Sequence, residues 1–189
     1  AALTLGLYEL VHAHLRWWTL PAGEPGVWVL GLLCYDFLYY WHHRAGHRVA
    51  LFWAAHVVHH QSEDYNLSTA LRQTWTPMTG LPYWLPLAFL GFPPWAILLQ
   101  QSVSLLYQFF IHTERVGKMW RPIEFVMNTP SHHRVHHGSN SAYLDKNYGG
   151  IFMLWDHLFG SYKAEDDAEP CVYGTRKPLR SWNPVWANL

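Results

Sequence analysis

Apolar positions in this chain fall in long segments, each of helical length, separated by short polar or Gly/Pro-rich breaks. Residues 1–18 form an apolar, helix-compatible segment ending in Arg16, Trp17 and Trp18, amphipathic groups suited to a bilayer interface. Pro21 to Gly26 has glycine or proline at four of six positions and predicts a loop. From Val27 to Trp41 fifteen residues are apolar except Asp36. At about 1.5 Å per residue they fall short of a ~30 Å hydrocarbon core. The helix is therefore expected to extend, carrying His43 and His47 clear of the membrane. Residues 49–72 are mixed, with a polar break from Gln61 to Asn66. Trp75 to Gly91 and Pro94 to Ile111 are apolar segments of seventeen and eighteen residues, joined by the turn Gly91-Phe92-Pro93-Pro94. They predict a hairpin that crosses a bilayer and returns, its first arm bent by Pro77, Pro82 and Pro86. From Lys118 onward the chain is polar and loop-rich, with Trp155 to Gly160 as its last apolar patch and an acidic stretch from Glu165 to Glu169.

This pattern predicts an all-α protein: an integral membrane helical bundle of about four transmembrane helices, the first one truncated, under a His-rich helical cap. Residues 1–189 are expected to be a single domain and a fragment, cut at the N-terminus inside its first membrane helix and truncated at the C-terminus as well. Composition agrees: 50% of residues are hydrophobic and 17% aromatic. Only 14% are charged, against roughly 25% in ordinary soluble domains. Twelve of the thirteen Lys and Arg lie at 44–72 or 115–180. The excess of positive charge then makes that side cytoplasmic. Formal net charge is zero and no basic run exists, so nucleic acid is not an expected partner. Cys34 and Cys171 are the only cysteines, which excludes a disulfide framework or a Cys-rich zinc or iron-sulfur site.

Fourteen histidines change the picture from membrane anchor to chemistry. Ser131-His132-His133-Arg134-Val135-His136-His137 places four imidazoles in six residues. On a helix His133, His136 and His137 stand at i, i+3 and i+4 and share one face. The same spacing occurs at His56, His59 and His60, and His43 and His47 are four apart. Burying so many imidazoles without partners costs about 1–3 kcal/mol each, and a metal satisfies several at once. With His112 the candidates number nine, more than one ion can take, and two ions with four or five ligands each fit. Imidazole ligands alone leave zinc, iron, copper or nickel open. Two neighbouring redox metals with open positions suit dioxygen activation. His12, His14 and His157 stand apart from these groups and are expected to be ordinary packed or solvated side chains.

The string Asp36-x2-Tyr39-Tyr40-Trp41-x-His43-Arg44-x2-His47, followed by His56-x2-His59-His60, Asn128-Thr129-Pro130-Ser131-His132-His133-Arg134-Val135-His136-His137, Asn147-Tyr148-Gly149-Gly150 and Trp155-Asp156-x-Leu158-Phe159-Gly160, resembles the fatty acid hydroxylase/sterol desaturase superfamily. His112-Thr113-Glu114 and the Asn-Thr-Pro-Ser run are similar to its bacterial alkylglycerol monooxygenase-like branch. The resemblance covers roughly residues 30–185 and implies a membrane-bound, non-haem diiron oxygenase. Such an enzyme uses O2 and external electrons to hydroxylate, desaturate or cleave a lipid: a sterol, a fatty acyl chain or an ether lipid. It implies two Fe ions held by His43, His47, His56, His59, His60, His112, His133, His136 and His137. A tenth position falls to His132, a water or an amide side chain. Partners implied are the lipid, O2 and an electron donor, either a cytochrome b5-type or ferredoxin-type protein or a reduced pterin.

Three acids are candidate supporting or proton-transfer groups. Asp36 lies seven residues before His43, two helical turns away, and could accept an imidazole N–H. Glu114 and Asp145 are placed to serve proton delivery or to orient a ligand. Arg134 is expected to pair an acid. Two other classes compete with an oxygenase: a zinc-stabilised membrane scaffold and a metal-transporting His-rich protein. Metal content combined with lipid-dependent O2 use separates them.

Overall fold

A computed structural model of the chain describes residues 2–75, 77–181 and 183–188. Its regular structure is helical apart from one isolated bridge between Met127 and Phe152. The helices are α1 (Ala2–His14), α2 (Pro25–Arg48), α3 (Ala50–His60), α4 (Leu81–Phe89), α5 (Pro94–Ile111), α6 (Arg121–Val126), α7 (Pro130–His137), α8 (Leu154–Phe159) and α9 (Pro184–Ala187). Prolines punctuate them: α2, α5, α7 and α9 each begin with proline, where the missing N–H costs nothing and the fixed φ is already helical.

An apolar core joins the first half of the chain. Tyr8 and Val11 of α1, Tyr35 of α2, Trp84, Leu87 and Ala88 of α4, Phe92 and Ile97 are buried together. Tyr35 and Trp84 stack with ring centroids 4.5 Å apart. At Gly91 the backbone has φ +98, and a side chain there would run into the Trp18 carbonyl. Glycine thus lets the turn between α4 and α5 close against the end of the first segment.

The hairpin differs from its sequence expectation in its first arm. Residues 75–91 do not form one long helix: a 3-10 turn, Pro77–Gly80, precedes α4, which has nine residues. Thr76 lies outside the described residues. Pro77 opens the 3-10 turn, Pro82 sits in the first turn of α4 and Pro86 lies inside it, so each removes a backbone donor within this arm. Among the described residues no helix is long and apolar enough to cross a membrane. The expectation of about four transmembrane helices meets two obstacles in particular. The last turns of α2 carry His42, His43, His47 and Arg48, and α5 is interrupted by Gln100, Gln101, Ser104 and Gln108.

The second half is organised around α7, all eight residues of which are buried. Its N-terminus is closed by an exchange in which the Thr129 N–H donates to His132 Nδ1 at 3.3 Å. Histidine here takes the place that Glu or Gln usually holds at the third helical position.

Candidate metal centre

Nine histidines from four helical elements converge in two adjoining, largely buried sets. His43 and His47 of α2, His56 and His60 of α3 and His136 of α7 form one set; His59 of α3, His112 at the end of α5, and His133 and His137 of α7 form the other. Within each set the available nitrogens all lie within 4.8 Å of one another. Helical geometry explains the division. On α3, His56 and His60 are one turn apart and share a set, while His59 points to the neighbouring one. On α7 the same rule sends His133 and His137 together and leaves His136 to the first set.

Backbone carbonyls fix three of these rings. His43 Nδ1–H donates to the Tyr148 carbonyl at 2.9 Å, His136 Nδ1–H to that of Lys146 at 3.0 Å, and His112 Nδ1–H to that of Gln108 at 2.6 Å. In a neutral ring the remaining Nε2 then carries a bare lone pair aimed inward. His56 Nε2 lies 3.1 Å from Nε2 of both His43 and His60. His112 Nε2 lies 3.2 Å from His59 Nε2 and 3.0 Å from His133 Nε2. The Nε2 atoms of His47, His136 and His137 are buried with no hydrogen-bond partner.

Imidazole nitrogens at this range share either one N–H proton or a cation, and a cation satisfies every ring of a set at once. Imidazole nitrogens about 2.1 Å from a metal and at right angles to each other stand about 3.0 Å apart. The donor set therefore fits metal. Burial keeps the rings neutral and ready to ligate: desolvation pulls His136 and His112 down to about 4, and His60 and His137 well below the usual imidazole value. Among the described residues neither set includes a carboxylate.

His132 stands outside both sets. Its Nε2 lies 3.1 Å from Glu124, whose carboxylate also accepts from Thr129 Oγ1 and Ser131 Oγ, each at 2.8 Å. The structure thus places this tenth candidate in a cluster that seats the start of α7. Asp36 is likewise placed elsewhere than the sequence suggested. It accepts from the backbone N–H of Ile151 and Phe152 and from Trp155 Nε1, at 2.7, 3.1 and 2.9 Å, and not from His43. The loop that follows Tyr148 takes up the Asp36 carboxylate, and the Tyr148 carbonyl takes up the His43 N–H. Asp145, with φ +59, pairs with Arg48 at 3.0 Å and stands 3.9 Å from His47 Nδ1. Glu114 accepts from the Tyr173 hydroxyl at 3.0 Å on the exposed side of the centre. Arg134 does pair an acid, making two bonds to Glu165 at 2.7 and 2.6 Å.

Sequence reasoning passed over Asp156 and Glu124. Asp156 is fully buried and accepts from the N–H of Tyr148 and Gly149, at 2.8 and 2.7 Å, and from Ser161 Oγ at 2.7 Å. It shapes the loop whose carbonyl holds His43. The signal available was an acid six residues after the glycine pair Gly149-Gly150 and four before Gly160.

A cavity of about 470 Å³ opens onto both sets through His43, His56, His59 and His112. Its walls include Tyr35, Phe52, Trp84, Leu105 and Phe109, and among the described residues no Asp, Glu, Lys or Arg lines it. Tyr39 donates to Gln108 at 2.6 Å and Gln108 to Ser104 at 3.0 Å, so this wall is tied to the residue whose carbonyl orients His112. His42 also faces this cavity, against Tyr83 and Trp84, and is not in either set.

Comparison with known proteins gives a consistent picture. The family profile described as fatty acid hydroxylase matches residues 28–161. Alkylglycerol monooxygenase of Homo sapiens is 44% identical over 185 residues, covering 97% of this chain and 41% of that protein. Its Caenorhabditis elegans counterpart is 40% identical over 185 residues, with 98% of this chain and 36% of that protein covered. Lathosterol oxidase of Rattus norvegicus is 30% identical over 138 residues, 68% of this chain and 42% of that protein. The chain thus spans less than half the length of these curated relatives. No solved structure matches it.

Proposed function

The chain belongs to the fatty acid hydroxylase family, and on that premise we propose that it is the catalytic domain of a membrane-bound diiron oxygenase acting on a neutral ether lipid of the alkylglycerol type. The observation that carries this reading is the pair of buried all-histidine sets with carbonyl-fixed lone pairs, opening onto one uncharged aromatic cavity. The lipid class is supported by the relatives at 40–44% identity, which are named alkylglycerol monooxygenases.

One iron would be held by His43, His47, His56, His60 and His136, the other by His59, His112, His133 and His137. Bound iron would supply O2 activation and removal of a hydrogen from an unactivated C–H bond. The chain's own residues do the rest. Tyr35, Trp84 and Phe109 receive an alkyl chain and exclude water from the cavity. The carbonyls of Tyr148, Lys146 and Gln108 hold three imidazoles in the metal-binding tautomer. Asp145 is placed to orient His47. Overall, one lipid C–H, O2, two electrons and two protons give an alcohol and water.

The exposed apolar side chains of α5, including Leu98, Leu99, Val103, Leu106 and Phe110, support lipid contact. We place the apolar ends of α1, α2, α4 and α5 in the bilayer as a transmembrane bundle, with the histidine sets on the cytoplasmic side. Residues 1–189 carry no flavin, haem or iron-sulfur motif, and we assign the electrons to a donor outside this stretch.

The test is metal analysis of protein purified without added metal, followed by lipid-dependent O2 consumption with an alkylglycerol. About two iron per chain and alcohol formation are expected. Two zinc ions and no turnover with any reductant would refute the oxygenase.

A further inference from the structure

Several tyrosines touch the ligand rings, and one of them leads out of the protein. Tyr65, in the segment after α3, is buried, with its ring 5.2 Å from that of His137 and 5.7 Å from that of His112, both in the set built on His59. It also stacks on Tyr173, the ring centroids 4.8 Å apart and the planes within 13° of parallel. Tyr65 donates its hydroxyl proton to the Ile111 carbonyl at 3.2 Å. Tyr173 is half-buried and donates to Glu114 Oε1 at 3.0 Å, and Glu114 is exposed. The three side chains thus run from a metal set to solvent, in contact at every step. The other tyrosines at the rings end differently. Tyr39, 5.3 Å from His43, commits its hydroxyl to Gln108. Tyr148, 5.4 Å from His47, meets Tyr40, whose hydroxyl accepts from the Arg44 guanidinium at 2.7 Å. A positive charge there opposes oxidation of that ring. Arg134, the cation whose charge Tyr65 and Tyr173 feel, is paired with Glu165 at 2.6 Å.

We propose that Tyr65 and Tyr173 form an electron relay that protects the metal centre when O2 has reacted with no lipid in place. The proposal rests on the oxygenase reading, which alone gives the centre an oxidant. With lipid bound, its C–H bond consumes the oxidising equivalents. Without lipid they would fall on the imidazole ligands and the cavity wall. A phenol is oxidised more readily than an imidazole, provided that its proton can leave with the electron. Tyr65 has only a backbone carbonyl at its hydroxyl, a poor base, so oxidation does not come to rest there. Tyr173 has a carboxylate. One electron therefore moves from Tyr173 through Tyr65 to the oxidised metal centre, the Tyr173 hydroxyl proton moves to Glu114, and a neutral tyrosyl radical remains at the outer end. The external donor then returns one electron and Glu114 the proton, which restores the phenol. Two such passages supply two electrons. Together with the two that the donor gave before O2 reacted, and with four protons, they reduce O2 to two waters and no protein group is consumed. Glu114 thereby serves Tyr173, away from the lipid cavity.

Freeze-quench electron paramagnetic resonance tests this on iron-loaded, chemically reduced protein mixed with O2 in the absence of lipid. A tyrosyl radical should form, its signal should narrow when the protein is made with ring-deuterated tyrosine, and added alkylglycerol should suppress it. These measurements need no variant to fold. In Y173F, and in Y65F, which keeps the ring stack, the signal should be lost. The number of lipid-free turnovers before oxidation of His112 and His137, mapped by mass spectrometry, should drop several-fold in both variants. Their initial rate with alkylglycerol should equal that of the unmodified protein. A radical that is absent, or indifferent to tyrosine deuteration, or unchanged in both variants would overturn the relay. The function itself is tested apart from it. Reduced protein that takes up no O2, with or without alkylglycerol, refutes the oxygenase, whereas O2 uptake without a tyrosyl radical refutes only the relay.

Discussion

The Nδ1–H of His43 donates to the backbone carbonyl of Tyr148 across a sequence separation of 105 residues. This bond joins the end of α2 to a loop that carries no metal-binding side chain of its own. The loop in turn hangs on Asp156, which binds the N–H groups of Tyr148 and Gly149. Replacing Asp156 by Ala removes three buried hydrogen bonds and leaves two backbone donors unpaired. A loss of about 3–5 kcal/mol is expected, at the upper end for several buried groups, read by denaturant unfolding of the metal-free protein. Unchanged stability would remove Asp156 from its assigned place.

The two sets can be emptied separately. His136→Ala should weaken the set built on His43, and His133→Ala the set built on His59. Each single variant should retain about one metal per chain where the unmodified protein holds about two, because removing one imidazole leaves an ion underliganded and a cavity in its place. Metal analysis after dialysis decides this. Loss of both metals from either variant would mean one cooperative site.

Glu124 offers the contrasting case. Its carboxylate gathers Thr129, Ser131 and His132 at the start of α7, outside both sets. Glu124→Gln should cost about 1–3 kcal/mol through the lost charged acceptor yet leave metal stoichiometry intact. A protein that folds normally but loses a metal would instead place His132 among the ligands.

Acid should unfold the metal-free protein earlier than an ordinary helical protein. Burial lowers His136 and His112 from 6.5 to about 4. Between these values the unfolded chain binds more protons than the folded one, so stability rises with pH across that window. The contribution is complete above 6.5 and lost as pH falls towards about 4. Thermal unfolding followed from pH 7.5 to pH 4.5 should show a falling midpoint, and a flat profile would contradict neutral buried rings.

Local spacing made part of this architecture readable in advance. The i, i+3, i+4 pattern marked α7 and α3 as metal-facing helices, and the proline-bounded segment before His112 marked α5. The same local rules failed where partners come from afar. Asp36 was judged by its own helix face, and its partners at 151–155 are more than a hundred residues away. His132 was one of three options for a tenth ligand, and a rotation of about 100° on the helix turns it to Glu124. The seventeen-residue arm at 75–91 was judged by hydropathy and expected to bend at its prolines; nine of its residues, Pro82 and Pro86 among them, form α-helix.

By itself the sequence determined which side chains could bind metal, because helical periodicity is a property of consecutive residues. Tertiary packing alone decided how nine of them divide into two sets, which carbonyls fix their tautomers, and that an aromatic cavity opens onto both. Those relationships hold residues of distant helices within a few ångströms of each other, and such proximity arises only when the whole bundle closes.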